Sequence, residues 1–312
     1  MNRDAILTSL QALDISIVIP THNRPNFILR AVQSALQSCT AQGEVIVVDD
    51  RSRFPVAELL QTVSDPRLRV VRNDDAVGGA AYARNIGVKA ATKELVFFLD
   101  DDDTFFSTYI ESVLQATELP RADYGFGMDC LELEQSHTST FVANTSCALL
   151  HPRREFRKCL GSTGAGFWVR RSIFLTLGGF DPQQVVDEDT DLCVRLIIAG
   201  SYCLFYKGYA TLKYRNITIT DSNLEKVKQL SFDTDVVVAM QCYARTFIKA
   251  RPHFLPSSTA IWYLASRYIR RAMNAGHKLE ASAFIKQQTS VCLKLKLSLF
   301  YYRKLFSNFL KK

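Results

Sequence analysis

The stretch Glu94-Leu-Val-Phe-Phe-Leu99 runs directly into Asp100-Asp-Asp-Asp103, and its reading decides the fold. A short apolar run of β-formers predicts a strand buried along its length that stops where the charge begins. Four adjacent carboxylates repel one another and raise one another's pKa unless a cation or strong donors neutralise them. A hard divalent ion with oxygen ligands meets that need at the C-terminal end of a strand, and such an ion suggests a phosphate-bearing substrate. A solvated acidic turn capping the next helix is the other reading of the same residues.

Outward from this stretch the chain alternates. Residues 15–19, 44–48 and 67–71 read as strands; Pro20 stops the first and Asp49-Asp50 ends the second. Between them, Ile28, Ala31, Val32, Ala35 and Leu36 recur at helical spacing after Pro25, and Gly78-Gly79 opens a helix to about residue 91. Continuous apolar strands alternating with amphipathic helices predict an α/β fold, a mostly parallel sheet flanked by helices. Ligands bind such sheets beyond the carboxyl ends of the strands. Residues 20–23, 49–52 and 100–103 are therefore three polar clusters expected on one rim. Further on, residues 107–117 predict a helix and residues 125–133, 140–149 and 167–169 predict strands. Asp187-Glu-Asp-Thr-Asp191 starts a helix that Gly200 ends, and residues 257–274 and 279–310 are helical, with Gly276 between them.

The 312 residues are 47% hydrophobic and 22% charged, with no apolar stretch of membrane-spanning length and no signal-peptide pattern at the start. Eight scattered cysteines without a Cys-x-x-Cys argue against a zinc cluster or a disulfide framework and for reduced thiols in the cytoplasm. The net charge of +7 is uneven: residues 1–220 carry 22 Lys/Arg against 26 Asp/Glu, residues 221–312 carry 16 against 5. This division predicts a catalytic domain over 1–220 and a basic helical region over 221–312. It also implies an anionic partner for the latter: a membrane surface, a nucleic acid or another polyanion.

Six segments, in order, resemble a known family. They are Ile17-Val-Ile-Pro-Thr-His-Asn-Arg24, Val45-Ile-Val-Val-Asp-Asp-Arg-Ser52, Gly78-Gly-Ala-Ala-Tyr-Ala-Arg-Asn-Ile-Gly87, Phe98-Leu-Asp-Asp-Asp-Asp103, Gly178-Gly-Phe-Asp181, and Glu188-Asp-Thr-Asp-Leu192 with Arg195. Together they resemble the inverting glycosyltransferases of family 2, of the GT-A fold and the bacterial surface-polysaccharide type, over roughly residues 14–215. The resemblance implies a nucleotide-sugar donor bound by Pro20, Thr21, Asn23, Asp50, Arg84, Asp100 and Asp102. It implies the Asp-x-Asp metal motif Asp100-x-Asp102 with Asp103 next to it, Mn²⁺ or Mg²⁺ on Asp102 and Asp103, and Asp101 turned outward or onto the ribose. It places Gly179, Phe180 and Glu188 on the acceptor side, where the aromatic Trp168 is also expected, and makes Asp189 the general base.

Elementary chemistry allows these roles and their structural alternatives. Asp50 can accept from a pyrimidine imide N–H, uracil by resemblance, or cap the turn that follows it. Inverting transfer needs one carboxylate to take the acceptor's proton. Asp187, Glu188, Asp189 and Asp191 can also simply complement a helix dipole. Trp168 and Phe180 can floor a sugar site or fill the core. One departure concerns the metal: many family members place a His shortly after a Tyr-Arg pair, and here the run is Tyr214-Arg-Asn-Ile-Thr218.

In the tail, Val291, Leu295, Leu299, Tyr302, Phe306 and Phe309 fall near one helical face among Lys294, Lys296, Arg303 and Lys304. That pattern describes an interfacial helix drawn to anionic lipid, on the inner face of the cell membrane, or a helix packed on the catalytic domain. No recognition motif accompanies the charge, so nucleic acid is not the expected partner. The expected function is transfer of a sugar, most readily from a UDP-sugar, to a glycan or lipid-linked glycan acceptor. A sugar-nucleotide nucleotidyltransferase and a non-catalytic membrane-surface protein are the rivals. The first lacks its Gly-rich basic loop after strand one, and the second rests only on the missing His.

Overall fold

The computed structural model describes residues 14–131, 146–214 and 236–309. The chain forms two compact units, residues up to 182 with 200–216, and residues 183–199 with the chain from 217 onward. The second unit thus contains the helix that carries Asp189.

The first unit is built on β1 (Ile15–Thr21), α1 (Pro25–Ser38), β2 (Glu44–Asp49), α2 (Val56–Leu59), β3 (Leu68–Arg72), α3 (Ala80–Ala90) and β4 (Leu95–Phe98). β5 (Asp103–Phe105), α4 (Tyr109–Leu114), β6 (Tyr124–Leu131), β7 (Cys147–Leu150), β8 (Trp168–Arg170) and α5 (Arg171–Thr176) follow. After α6 (Glu188–Ile198), which belongs to the second unit, β9 (Cys203–Lys213) returns to the sheet.

The sheet order is β3-β2-β1-β4-β8-β6-β9-β5, with β7 also on β9. Its first half, β3-β2-β1-β4, is parallel and matches the alternation in the sequence. In the other half directions mix: β8 runs antiparallel to β4 and β6, β9 is parallel to β6, and β5 and β7 are antiparallel to β9. Every residue of β2 and β4 is buried, as strands covered on both faces require. Pro25 sits in the first turn of α1, where its missing N–H costs nothing. The helix turns Ile28, Ala31, Val32, Ala35 and Leu36 inward, and each fully buried Ile, Val or Leu contributes about 1.5–3 kcal/mol.

The second unit adds α7 (Val236–Ala250), α8 (Thr259–Asn274), α9 (Lys278–Lys286) and α10 (Val291–Phe309). Gly200 takes a left-handed φ of 85° behind α6, the expected stop. The helix expected over 279–310 is in fact two. Polar side chains between them claim backbone groups: Ser290 Oγ accepts the Leu293 N–H at 3.3 Å and Gln288 Nε2 donates to the Phe284 carbonyl at 2.7 Å. Within the described residues, the strand expected over 125–133 is β6, Tyr124–Leu131, and the one expected over 140–149 is β7, Cys147–Leu150. Residues 132–145 lie outside the described residues, as does 222–235 of the predicted helical tail. Among the described residues, no helix is long and apolar enough to cross a membrane.

Candidate active site

β1, β2 and β4 run parallel and end together, and their ends open into a cleft of about 740 Å³. Pro20, Thr21, Asp50, Arg84 and Asp100 through Asp103 line it, so most donor and metal residues expected from the sequence meet in one place. His22, Arg24, Arg51 and Lys213 also face it, interleaving cations with the carboxylates.

Each of the four aspartates is held differently. Asp100 Oδ1 accepts from the buried guanidinium of Arg84 at 2.7 Å. Asp101 is buried, accepting from Thr21 Oγ1 at 2.7 Å and from Arg24 at 3.1 Å, rather than turned outward. A donor-rich loop beside β1 draws it in, while burial pushes its carboxyl up to about 6 against the pull of Thr21 and Arg24. Asp102, one-third exposed, accepts from Arg24 at 2.6 Å. Asp103 is buried, and among the described residues no donor reaches its carboxylate. Burial, followed by the charge of Asp100, pushes it up to about 8, with Lys213 opposing. Lys213 is its Cα partner across the β5–β9 ladder and pairs with Asp129 at 3.3 Å.

At the end of β2 the capping role falls to Asp49, whose Oδ1 accepts the Ser52 N–H at 2.9 Å while Oδ2 holds Arg72 at 2.6 Å. Asp50 is buried and shapes the glycine loop: Oδ1 accepts from Asn73 Nδ2 at 2.6 Å and Oδ2 from the Gly79 N–H at 2.7 Å. Gly79 has a φ of 113°, which its lack of a side chain permits, and this aims the N–H at Asp50 just before α3. His22 Nδ1 lies 2.6 Å from the Asp50 carbonyl and its Nε2 lies 2.8 Å from Asn23 Nδ2, which places the ring proton on Nδ1. Asn23 does not line the cleft. Its Oδ1 accepts the Arg53 N–H at 2.8 Å and its own N–H meets Ser52 Oγ at 3.0 Å, so it ties the first loop to the second.

Two expected acceptor-side residues are core. Trp168 is fully buried on β8 against Phe97, and Phe180 packs on Phe98 and Phe174; neither ring offers a face to a sugar. An aromatic of that size on a central strand is drawn into the apolar cluster, as β8 sits between β4 and β6. Gly179 has a φ of 72°, and a Cβ there would lie 2.5 Å from Asn85 Oδ1. The glycine therefore serves a backbone clamp in which Asn85 bonds both the N–H and the carbonyl of Phe180, each at 2.8 Å.

In the second unit, Asp189 is half-buried on the first turn of α6, its Oδ1 accepting the Thr190 N–H at 2.6 Å. Glu188 is half-buried beside it. Asp191 is fully buried and paired with Arg195 at 2.9 Å and Lys249 at 2.8 Å, so this acid has a structural task. Asp187, left-handed with a φ of 64°, pairs with Arg267, which also donates to Thr190 Oγ1 at 3.0 Å and lies over the Tyr243 ring. Burial pushes the Asp187 carboxyl up to about 7 in spite of Arg267.

Sequence reasoning did not single out Arg24, Lys213 and Arg267. Arg24 closes the first quoted motif and carried a signal, while Lys213 and Arg267 reach their acids only through strand pairing and helix packing. Arg30 lies 3.4 Å over the Tyr214 ring, and Arg215 through Thr218 lie outside the described residues.

Comparison with known proteins agrees with this geometry. A family model described as glycosyl transferase family 2 matches residues 16–178, a little over half of the chain. An uncharacterized glycosyltransferase of Haemophilus influenzae is 25% identical over 253 residues, covering 77% of this chain and 85% of that protein. The Escherichia coli protein named UDP-Glc:alpha-D-GlcNAc-diphosphoundecaprenol beta-1,3-glucosyltransferase WfgD is 26% identical over 227 residues, 72% of this chain and 85% of its own. Among solved structures, S. aureus TarS 1–349 in complex with UDP-GlcNAc superposes with a TM-score of 0.57 at 14% identity, over 93% of this chain and 89% of that one, a likeness of fold. With the strand-end cleft and its ordered motifs, these matches make the chain a glycosyltransferase, a member of glycosyl transferase family 2.

Proposed function

We propose that the chain transfers a sugar from a UDP-sugar to a hydroxyl of a lipid-linked glycan, with inversion at the anomeric carbon, during assembly of a surface polysaccharide. The observation that carries this is the cleft at the ends of β1, β2 and β4, where Asp50, the aspartate run and the cations Arg24, Arg84 and Lys213 converge. Carboxylates set among fixed cations suit a ligand that bears both phosphate charge and hydrogen-bonding base and sugar groups. WfgD, named for a UDP-glucose donor, and the TarS complex with UDP-GlcNAc favour the same donor.

Asp50 accepts one hydrogen bond on each oxygen, with Arg51 Nε a further 3.7 Å from Oδ1, leaving lone pairs for an imide N–H. Thr21, fixed through Asp101, lies beside it on the neighbouring strand end. Arg84 and Lys213 neutralise diphosphate oxygens, while Arg84 keeps Asp100 in place. The donor set also fits Mn²⁺ or Mg²⁺: Asp103 is a buried carboxylate with no donor among the described residues, and Asp102 is a second hard oxygen ligand next to it. Such an ion, when bound, supplies charge neutralisation for the leaving diphosphate. Asp189, half-buried and uncommitted to an ion pair among the described residues, is the base that takes the acceptor proton.

A panel of UDP-, GDP- and dTDP-sugars, with and without Mn²⁺, tests this by thermal shift and donor hydrolysis. UDP-sugars should raise the melting temperature most, and more with the metal. Indifference to every nucleotide sugar in both conditions would sink the reading. Asp189→Asn should bind the donor and fail to transfer, and retained transfer would remove Asp189 from the base role. Anomeric configuration of the product, read by NMR, decides inversion.

A further inference from the structure

The helix α10 carries a stripe that the fold leaves uncovered. Val291, Leu295, Leu299, Tyr302 and Phe306 are 72, 60, 73, 64 and 65% exposed. At 3.6 residues per turn these five fall within an arc of about 80°. The opposite side is occupied: Leu293 and Leu297 are buried, α10 packs on α8 and α9, and the Phe300 ring meets Trp262 edge-on. The burial side of the helix is thus already satisfied, and the exposed stripe is a second apolar face. The side chain of Phe309 lies outside the described residues. Single exposed apolar residues are ordinary on a protein surface, but five aligned along four turns are not.

The charge around the stripe identifies what covers it. Lys296 and Arg303 follow one border and Lys294 the other, and residues 246–312 hold 13 Lys/Arg against a single acid, Glu280. A second copy of this chain would bring an equally basic surface against the first and be repelled. An acidic, apolar-backed plane suits both features.

We propose that α10 is a membrane-docking helix, lying in the plane of an anionic phospholipid bilayer with this stripe at the acyl boundary and its basic borders among the head groups. Since no helix among the described residues is long and apolar enough to span, the attachment is to one leaflet. Docking would hold the enzyme at the surface where a lipid-linked acceptor resides. It does not depend on the donor or acceptor reading, because lipid binding is measured with neither present.

The test is co-sedimentation of the full chain with vesicles of phosphatidylcholine alone and of phosphatidylcholine mixed with phosphatidylglycerol. Binding should be about tenfold or more tighter to the anionic vesicles and weaken at high salt, since each basic side chain near such a surface is attracted electrostatically. The triple variant Leu295→Ser/Leu299→Ser/Phe306→Ser should keep the wild-type melting temperature, since these side chains are exposed, and lose the binding. An environment-sensitive fluorophore on the exposed Cys292, on the rim of the stripe, should shift to the blue with anionic vesicles and not with neutral ones. Absence of binding to anionic vesicles, equal binding by the triple variant, or a dimer in light scattering that the variant dissolves while vesicles go unbound would each overturn the proposal.

Discussion

Asn85, one turn into α3, exchanges two hydrogen bonds with the backbone of Phe180, ninety-five residues away in sequence. Its Oδ1 accepts the Phe180 N–H and its Nδ2 donates to the Phe180 carbonyl, as a strand neighbour would. Two motifs that look independent along the chain, the Ala-Arg-Asn start of α3 and the Gly-Gly-Phe-Asp loop, are therefore one structural device. Its removal leaves two buried backbone groups without partners. Asn85→Ala should destabilise the protein by about 1–3 kcal/mol in denaturant titrations. Asn85→Asp should also lose stability, since a carboxylate cannot donate to the carbonyl; a wild-type midpoint in either variant would contradict the clamp.

Gly87 faces β1 from inside α3, and an added Cβ would lie 2.3 Å from Val18 Cγ1. Helix propensity alone would make Gly87→Ala favourable by about 1 kcal/mol. Overpacking a buried helix–sheet contact costs about 1–3 kcal/mol and wins. The single variant should therefore melt lower than wild type, and Val18→Ala in the same chain should recover part of the loss in a double-mutant cycle.

Glu44 fastens the sheet to the loop before β4. Burial alone would raise its pKa, but the N–H and hydroxyl of Thr92, the hydroxyl of Ser16 and the Arg69 guanidinium outweigh it and hold it below the usual carboxylate value of 4.5. A depressed folded pKa stabilises the native state above the unfolded pKa, and the benefit disappears as pH falls through the folded one. The melting-temperature gap between wild type and Glu44→Gln should be largest near neutrality and narrow below about pH 4.5. A gap independent of pH would contradict the assignment.

Asp187 has the opposite sign. Its folded pKa of about 7 exceeds the ordinary 3.8, so the native state keeps a proton that the unfolded chain releases between these values. Its contribution to stability is greatest at the acid end and is lost as pH rises toward 7. Asp187→Asn, which cannot ionise, should gain melting temperature relative to wild type between pH 4 and pH 7, followed by calorimetry. A relative loss over that interval would show the carboxylate to be ionised throughout.

The three polar strand ends were legible because each is written locally: an apolar run, then a polar or charged cluster. The cleft joins them because β1, β2 and β4 are in register. What escaped depends on partners distant in sequence. Asp101 reads as a surplus acid until Thr21 and Arg24 close on it. Trp168 reads as platform or core alike until β8 is seen between β4 and β6. The break between α9 and α10 was written in Gln288 and Ser290, but their competition for the backbone is outweighed in a periodicity count by the leucines around them.

The way the aspartate run is held bears on whether it can be moved. One acid is anchored from α3, two from the segment after β1, and the last sits across a ladder from the end of β9. Grafted as a tetrapeptide onto another strand end, the same four letters would arrive without Arg84, Arg24 or Lys213 and would titrate as a crowded acidic turn. The portable object is a whole wall of the sheet, and an engineer seeking to transplant this site must carry the scaffold with the letters.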